Sequence, residues 1–191
     1  LRNQPGSPAA KLMARIHIKE NNHERAIEVL DGYLRLHSRD AQATLLLASA
    51  HMAQGRHPRA IAILQSALEQ GRRPELEDAL GMAYMKAGRF KQALALLEDA
   101  YKRQPGATPI GTSLAALYLQ LGQPAKALKV AEQLNKDRKD QPGLQFLLGR
   151  ARLEAGDLKG ARVALESAAK ADARFLDPQL ELAKIDLRSG A

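Results

Sequence analysis

The chain of 191 residues contains no cysteine and no tryptophan, and only 4% of its residues are aromatic. Disulfides and thiolate metal sites are therefore excluded, and a core of small and aliphatic side chains favours packed helices over sheets. The formal net charge of +8 permits an acidic partner, but the basic residues are scattered, with almost no aromatic residues beside them for stacking on nucleic-acid bases.

A repeated glycine and an alanine five residues after it organise the whole chain. The glycines recur at intervals of 33 or 34 residues, and the alanines keep the same step. These residues are Gly55, Gly88, Gly122, Gly156 and Gly190, and Ala26, Ala60, Ala93, Ala127 and Ala161. A period of this length is typical of a helix-turn-helix repeat array. Because no run of 18 apolar residues interrupts the array, no membrane span is predicted.

Divided at this period, the chain is predicted to form about eleven antiparallel helices in one elongated domain. It begins with the tail of a preceding repeat, contains five complete repeats, and ends on the first helix of a sixth. The predicted boundaries are 1–6 for the tail, 7–40, 41–73, 74–107, 108–141 and 142–175 for the repeats, and 176–191 for the last helix. Prolines agree with these boundaries, since they fall where helices begin and a missing N–H costs nothing: Pro8, Pro58, Pro74, Pro109, Pro124, Pro142 and Pro178.

The third repeat carries the most characteristic set of residues. Its first helix has a Leu-Gly pair and a tyrosine on one face, a glycine forms the turn, and its second helix carries small and large apolar residues before a proline. In chain order these are Leu80, Gly81, Tyr84, Gly88, Ala93, Leu97, Ala100 and Pro105. This order resembles the repeat of the tetratricopeptide family, and the resemblance covers nearly the whole chain.

The resemblance implies an all-α, right-handed superhelical solenoid whose concave face, lined by the first helices, binds peptides or partner domains. Individual repeats depart from the family pattern without changing this interpretation. Asn21 stands where glycine is expected, and His17, His51 and Arg152 occupy the position of Tyr84.

The predicted binding surface is the side of each first helix turned away from its own second helix. A step of about 100° per residue places three rows of side chains on this side. The predicted partner-binding residues are Met82, Met85, Lys86, Ala116, Leu119, Gln120, Phe146, Arg150 and Leu153. Methionine and phenylalanine among basic side chains suit an amphipathic or extended peptide with some negative charge. For the apolar row that includes Met85, Leu119 and Leu153, lateral packing between adjacent first helices is the alternative.

Some members of the family hold the acidic tails of chaperones with paired lysine and asparagine side chains on this face. The corresponding positions here carry Thr112, Ser113 and Ala116. A co-chaperone role is therefore not predicted.

No catalytic site, metal site or cofactor is predicted. The carboxylates of Glu75, Glu77 and Asp78 lie in the first turn of a helix, where they offset the positive end of the helix dipole. His17 and His51 occupy equivalent places in adjacent first helices, about 10 Å apart. Zinc needs ligands at about 2 Å, so these histidines are interpreted as packing residues, acid-sensitive if they are buried in the neutral form.

The function predicted from these observations is a non-catalytic scaffold for protein partners, and the chain is interpreted as a segment of a longer bacterial protein. Its Ala, Leu, Arg and Gln-rich repeats resemble those of bacterial tetratricopeptide proteins associated with exopolysaccharide synthesis and export, which favours the cell envelope or periplasm over the cytoplasm. A polyanion-binding module for RNA or acidic polysaccharide is the alternative, and a regulatory domain fused to a catalytic one is a third. The last helix, apolar on more than one face, is predicted to meet further repeats or to mediate dimerisation.

Overall fold

The computed structural model describes residues 7, 9–136, 138 and 140–189, and within them the chain is α-helical with no strand. The helices are α1 (Ala9–Lys19), α2 (His23–Leu36), α3 (Ala41–Ala53), α4 (His57–Gln70), α5 (Pro74–Lys86), α6 (Phe90–Arg103), α7 (Thr108–Gln120), α8 (Pro124–Asn135), α9 (Pro142–Glu154), α10 (Leu158–Ala171) and α11 (Leu176–Ser189). The predicted all-α fold class is confirmed. The predicted tail at 1–6, the predicted helix start at Pro8 and the turn residue Gly190 lie outside the described residues.

Contacts divide the chain into two compact units, Leu1–Leu96 and Leu97–Ala191, and the division falls within α6. In the N-terminal unit each helix from α1 to α5 packs on the next, and the first helices also contact one another, α1 with α3 and α3 with α5. The C-terminal unit repeats this pattern from α7 to α11, with α7 against α9 and α9 against α11. Each unit is thus a stack of helix hairpins. The prediction of a single elongated domain stays a prediction.

The turn inside each hairpin uses a left-handed backbone conformation, which side chains disfavour. Glycine, which lacks a Cβ, adopts it readily, and asparagine is among the few other residues that tolerate it. The φ angles are 56° at Asn21, 71° at Gly55, 71° at Gly88, 66° at Gly122 and 86° at Gly156. Asn21 therefore replaces glycine in the first hairpin with its backbone geometry retained.

Small residues on the first helices allow the two helices of a hairpin to approach closely. Ala14, Ala48 and Ala115 occupy the same position in their repeats and are completely buried. In α9 this position is Gly149, where an added Cβ would lie 2.7 Å from Cγ of Leu165 on α10. Such a distance is far shorter than ordinary van der Waals contact. The close packing of α9 on α10 therefore depends on the missing side chain.

A tyrosine on a first helix pairs with the second helix of the preceding repeat within each unit. Gln65 Nε2 of α4 donates a hydrogen bond of 3.1 Å to the hydroxyl of Tyr84 on α5. The hydroxyl of Tyr118 on α7 donates at 2.6 Å to Glu98 Oε1 of α6. These contacts join successive hairpins to each other.

His51 occupies the same repeat position and is only 6% exposed. Burial lowers the pKa of His51 because the imidazolium would lose its hydration. Asp31 and Glu24 oppose this shift, whereas Arg56 and Arg59 add to it. The folded chain therefore favours the neutral imidazole.

Because the folded-state pKa of His51 is lowered, its contribution to stability is present above the unfolded pKa and is lost as the pH falls. We expect the wild type to lose stability between about pH 7.5 and 5.5, and His51→Tyr to lose less over the same interval. Urea unfolding followed by circular dichroism at both pH values measures the difference. Equal losses in the two proteins would show that this histidine is not the source of acid sensitivity.

The last helix, α11, packs on α10 with one face and exposes another among its described residues. Ala183 is exposed, although its counterparts Ala14, Ala48 and Ala115 are completely buried. Leu180 is also exposed, whereas Ile185 on the other side of α11 is buried against α10. The predicted apolar character on more than one face is thus visible in the structure, while dimerisation through this helix stays a prediction.

Candidate functional site

A cleft of about 200 Å³ lies between the first helices α9 and α11 in the C-terminal unit. It contains two of the predicted binding residues, Arg150 and Leu153. Its other lining residues are Glu154, Glu181, Lys184 and Ile185. We call it the α9–α11 cleft.

An aromatic pair lies next to this cleft. The ring of Phe146 on α9 is half-buried and packs edge to face on Phe175, with 5.1 Å between ring centroids. Cζ of Arg150 lies 5.9 Å from the Phe146 centroid, within range of a cation–π interaction. The exposed guanidinium is thus placed beside an apolar ring, an arrangement that suits a carboxylate ligand with an adjoining apolar group.

Phe146 and Leu153 also contribute to the interior of the C-terminal unit. Both pack against a buried cluster formed by Ala161, Leu165 and Ile185. Each side chain is therefore held in place by the core while part of it stays accessible. A substitution of either residue is expected to affect packing as well as binding, so Arg150 is the better residue for a binding test.

Two basic and two acidic side chains line the α9–α11 cleft, but they are not equally available to bind a ligand. Lys184 Nζ lies 2.9 Å from Glu181 Oε1, so these two charges are paired on α11. On α9, Arg150 and Glu154 are exposed and lie four residues apart, on one face of the helix. The guanidinium of Arg150 can present two parallel N–H donors to a carboxylate, which makes it the strongest anchor for an acidic group in this cleft.

The other predicted binding residues lie on two further first helices. On α7, which contacts α9, Ala116 and Leu119 are half-buried and Gln120 is exposed. On α5, in the N-terminal unit, Met82 is 43% exposed, Met85 is half-buried and Lys86 is exposed. The structure therefore brings together the predicted residues of α9, and the full predicted surface stays a prediction.

Thr112, at one of the positions where other family members hold a chaperone tail, makes its side-chain hydrogen bonds within its own helix. The hydroxyl of Thr112 donates to the carbonyl oxygens of Thr108 and Pro109, at 2.9 and 2.8 Å. The one hydroxyl donor of this side chain is thereby used within α7, whereas a clamp needs donors directed toward a ligand.

Of the remaining lining residues, Lys184 was placed by the helical periodicity in the same exposed row as Arg150, whereas Glu154, Glu181 and Ile185 were not predicted from the sequence. Glu154 could have been predicted, because it lies one helical turn after Arg150 on the same face of α9. No sequence pattern predicts Glu181 and Ile185 as lining residues, because their position beside α9 depends on how α11 packs against it.

Two kinds of site are not found in the described part of the chain. No three histidine or carboxylate side chains come together there as a metal ion would require. Among the same residues, no helix is both long enough and apolar enough to cross a membrane.

Three sequence models of the tetratricopeptide repeat match the chain. They cover residues 11–74, 84–151 and 142–167, so that together they span most of it. A comparison with curated proteins gives no match.

Several solved structures have a similar fold. The tetratricopeptide repeat protein TTC0263 of Thermus thermophilus is 20% identical, with a TM-score of 0.76 over 93% of this chain and 97% of that one. The pilF protein of Pseudomonas aeruginosa is 21% identical, with a TM-score of 0.73 over 93% and 82%. YrrB, described as a tetratricopeptide repeat protein with an unusual peptide-binding site, is 19% identical, with a TM-score of 0.62 over 95% and 94%. At these identities the likeness is one of fold.

Proposed function

The chain belongs to the tetratricopeptide repeat family, and from that premise we propose that it is a non-catalytic scaffold that binds a peptide or partner domain on its first helices. The observation that carries the proposal is the α9–α11 cleft, where the exposed guanidinium of Arg150 lies beside the ring of Phe146. The peptide-binding site named for the similar fold of YrrB supports a ligand of this class.

The cleft indicates which features of a peptide would be recognised. Arg150 would pair with an aspartate, a glutamate or a terminal carboxylate of the ligand. Phe146 and Leu153 would both contact an apolar side chain next to that acidic group. Because Lys184 is already paired with Glu181, one dominant anionic contact is expected rather than two. The ligand is therefore an extended or amphipathic segment with a single essential acidic residue.

We expect Arg150→Glu to weaken such a ligand by about 10- to 100-fold, because a charge-assisted hydrogen bond at the centre of the site becomes a repulsion. Peptides selected from a displayed library on the immobilised chain supply the ligand, and titration calorimetry measures its dissociation constant. The matched control is Lys170→Glu, which makes the same charge change at an exposed position of α10.

Urea unfolding of both variants must match the wild type, so that a loss of binding is not a loss of fold. If every selected peptide binds Arg150→Glu and Phe146→Ala as tightly as the wild type, the first helix α9 is not the binding surface. The proposed function would then fail at this site.

We also propose a bacterial cell-envelope setting and an association with exopolysaccharide export, supported only by the composition of the repeats. Fractionation of cells that express the complete gene tests the compartment. Recovery in the cytoplasmic fraction alone would contradict it.

A further inference from the structure

A second groove, of about 290 Å³, lies between the second helices α6 and α8 in the C-terminal unit. The first helix α7 forms its floor. It shares no residue with the α9–α11 cleft, and we call it the α6–α8 groove. Its three lining residues on α6, Glu98, Tyr101 and Lys102, belong to the part of that helix that lies in this unit.

The walls of the α6–α8 groove are apolar and aromatic. Leu114, Tyr118 and Val130 are buried beneath it, and the half-buried ring of Tyr101 lines its side. Gly111 on α7 leaves room for both Leu134 and Tyr101, since an added Cβ would lie 2.9 Å from Cδ1 of Leu134 and 3.0 Å from Cε2 of the Tyr101 ring. The groove is therefore lined by two aromatic rings, that of Tyr118 largely buried, over an apolar floor, which suits one large apolar side chain.

The rim of the groove is positively charged. Lys102, Lys126 and Lys129 line it and are exposed, and Lys126 Nζ lies 5.3 Å from the centroid of the Tyr118 ring. Among the described residues that line the groove, Glu98 alone is acidic, and it accepts the hydrogen bond from the Tyr118 hydroxyl. Three ammonium groups thus surround the groove with one engaged carboxylate among them, and the groove is complementary to an anion.

The corresponding groove of the N-terminal unit shows that this charge is not a general property of the second helices. It lies between α2 and α4 over α3, with a similar volume of about 320 Å³. Arg59, in the repeat position of Lys126, is the one charged residue among its described lining residues, and Ala62 stands in the position of Lys129. The basic rim is therefore a feature of the α6–α8 groove and is not shared by the groove between α2 and α4.

We propose that the α6–α8 groove binds an acidic peptide that carries one large apolar side chain. The apolar side chain lies between the rings of Tyr101 and Tyr118, and the flanking carboxylates pair with Lys102, Lys126 and Lys129. This second site goes beyond the proposed function, because it uses the second helices and does not require a ligand in the α9–α11 cleft. With both sites occupied, the chain would hold two acidic segments at once.

The experiment uses the full chain and three fluorescein-labelled pentapeptides. The first is Asp-Asp-Phe-Asp-Asp, the second replaces Phe by Ala, and the third replaces each Asp by Asn. Because affinity needs both the apolar side chain and the carboxylates, we expect each replacement to weaken binding by about tenfold or more in fluorescence anisotropy. Equal affinities for the Phe and Ala peptides overturn the proposal.

Charge-reversal variants locate the site. The double variant Lys126→Glu, Lys129→Glu should weaken the first peptide by about 30-fold or more, because two attractive contacts become repulsive. The control double variant Lys159→Glu, Lys170→Glu changes the net charge equally on exposed positions of α10 and should change affinity less than about twofold. Equal losses in the two double variants overturn the proposal, since they would mean only a response to net charge.

Two further measurements separate this site from its alternatives. In the Arg150→Glu background, which removes the anchor of the α9–α11 cleft, Lys126→Glu with Lys129→Glu should still weaken the first peptide by about 30-fold, because the two sites share no residue. Failure of the α9–α11 cleft and failure of the α6–α8 groove are therefore distinguishable. A single-stranded RNA pentamer of comparable charge should bind more weakly than the peptide and should not displace it. Displacement by the RNA at equal concentration would overturn the peptide assignment in favour of a general polyanion site.

Discussion

Gly149→Ala is expected to destabilise the chain by about 1 to 3 kcal/mol, an unusual result for the addition of a single methyl group to a helix. Alanine normally stabilises a helix relative to glycine by about 0.5 to 1 kcal/mol. Here the added Cβ would lie 2.7 Å from Cγ and 2.8 Å from Cδ2 of Leu165, and 3.3 Å from the carbonyl oxygen of Ala161. Leu165 is completely buried, so it can move only if its neighbours move too.

Gly143→Ala is the matched control, because it makes the same substitution in the same helix. A Cβ at Gly143 would have no neighbour within 4 Å, so this variant is expected to be as stable as the wild type or slightly more stable. Urea unfolding at one pH compares the three proteins. If Gly149→Ala is as stable as Gly143→Ala, then α9 and α10 do not pack as closely as described.

Asp40→Asn is expected to reduce the free energy of unfolding by about 2 kcal/mol at pH 7. Asp40 Oδ2 accepts hydrogen bonds of 2.9 Å from both Lys11 Nζ and the Tyr33 hydroxyl, and Oδ1 accepts one of 3.0 Å from the amide of Ala43. Burial alone would raise the pKa of this carboxyl, but these donors outweigh burial and lower the pKa to about 2. Only 19% of the side chain is exposed, so solvent screens the interaction weakly.

The sign of the pH dependence follows from the lowered pKa. The stabilisation by Asp40 is complete above the unfolded pKa and is lost as the pH falls from about 4 to about 2. The deficit of Asp40→Asn relative to the wild type should therefore shrink over this interval. Asn can still cap α3, so the variant reports the charge rather than the cap.

Asp157→Asn is the control for Asp40→Asn, since Asp157 also caps a helix, α10, by accepting from the amide of Gly160. Its side chain is 52% exposed, and Arg152 Nε lies 3.9 Å away, so the charge is expected to contribute less than about 1 kcal/mol. Comparable deficits at pH 7 in the two variants would contradict the role assigned to the Lys11–Asp40–Tyr33 network.

A scaffold with one site on its first helices and another on its second helices could bind a ligand with two segments more tightly than a ligand with one. The α9–α11 cleft uses first helices, whereas the α6–α8 groove uses second helices, and both belong to the C-terminal unit. Two weak acidic segments joined by a linker could then bind more tightly than either one alone, provided that the linker reaches both sites. This gain in affinity requires both proposed sites, and loss of either one would remove it.

The sequence alone determined the hairpins, because the signals that define them are local. A glycine or asparagine at a fixed interval supplies the left-handed turn, and apolar residues at helical spacing define the buried face of each helix. Asn21 shows how specific this signal is, since it keeps the left-handed φ of the four glycines that follow it. The starts of α5, α8 and α9 at Pro74, Pro124 and Pro142 could also be predicted, because proline at the first position of a helix is a local signal.

The tertiary structure alone decided which side chains of different helices meet. The sequence placed Arg150 and Leu153 on the exposed side of α9, but nothing in it placed Glu181 beside them. It also left open whether a lysine on a second helix was merely solvated, until Lys126 was found over Tyr118 at the edge of a groove. The physical reason is that helical periodicity fixes angles around one axis, whereas contacts between helices depend on their crossing angle and axial offset, which the packing of all the intervening side chains sets together.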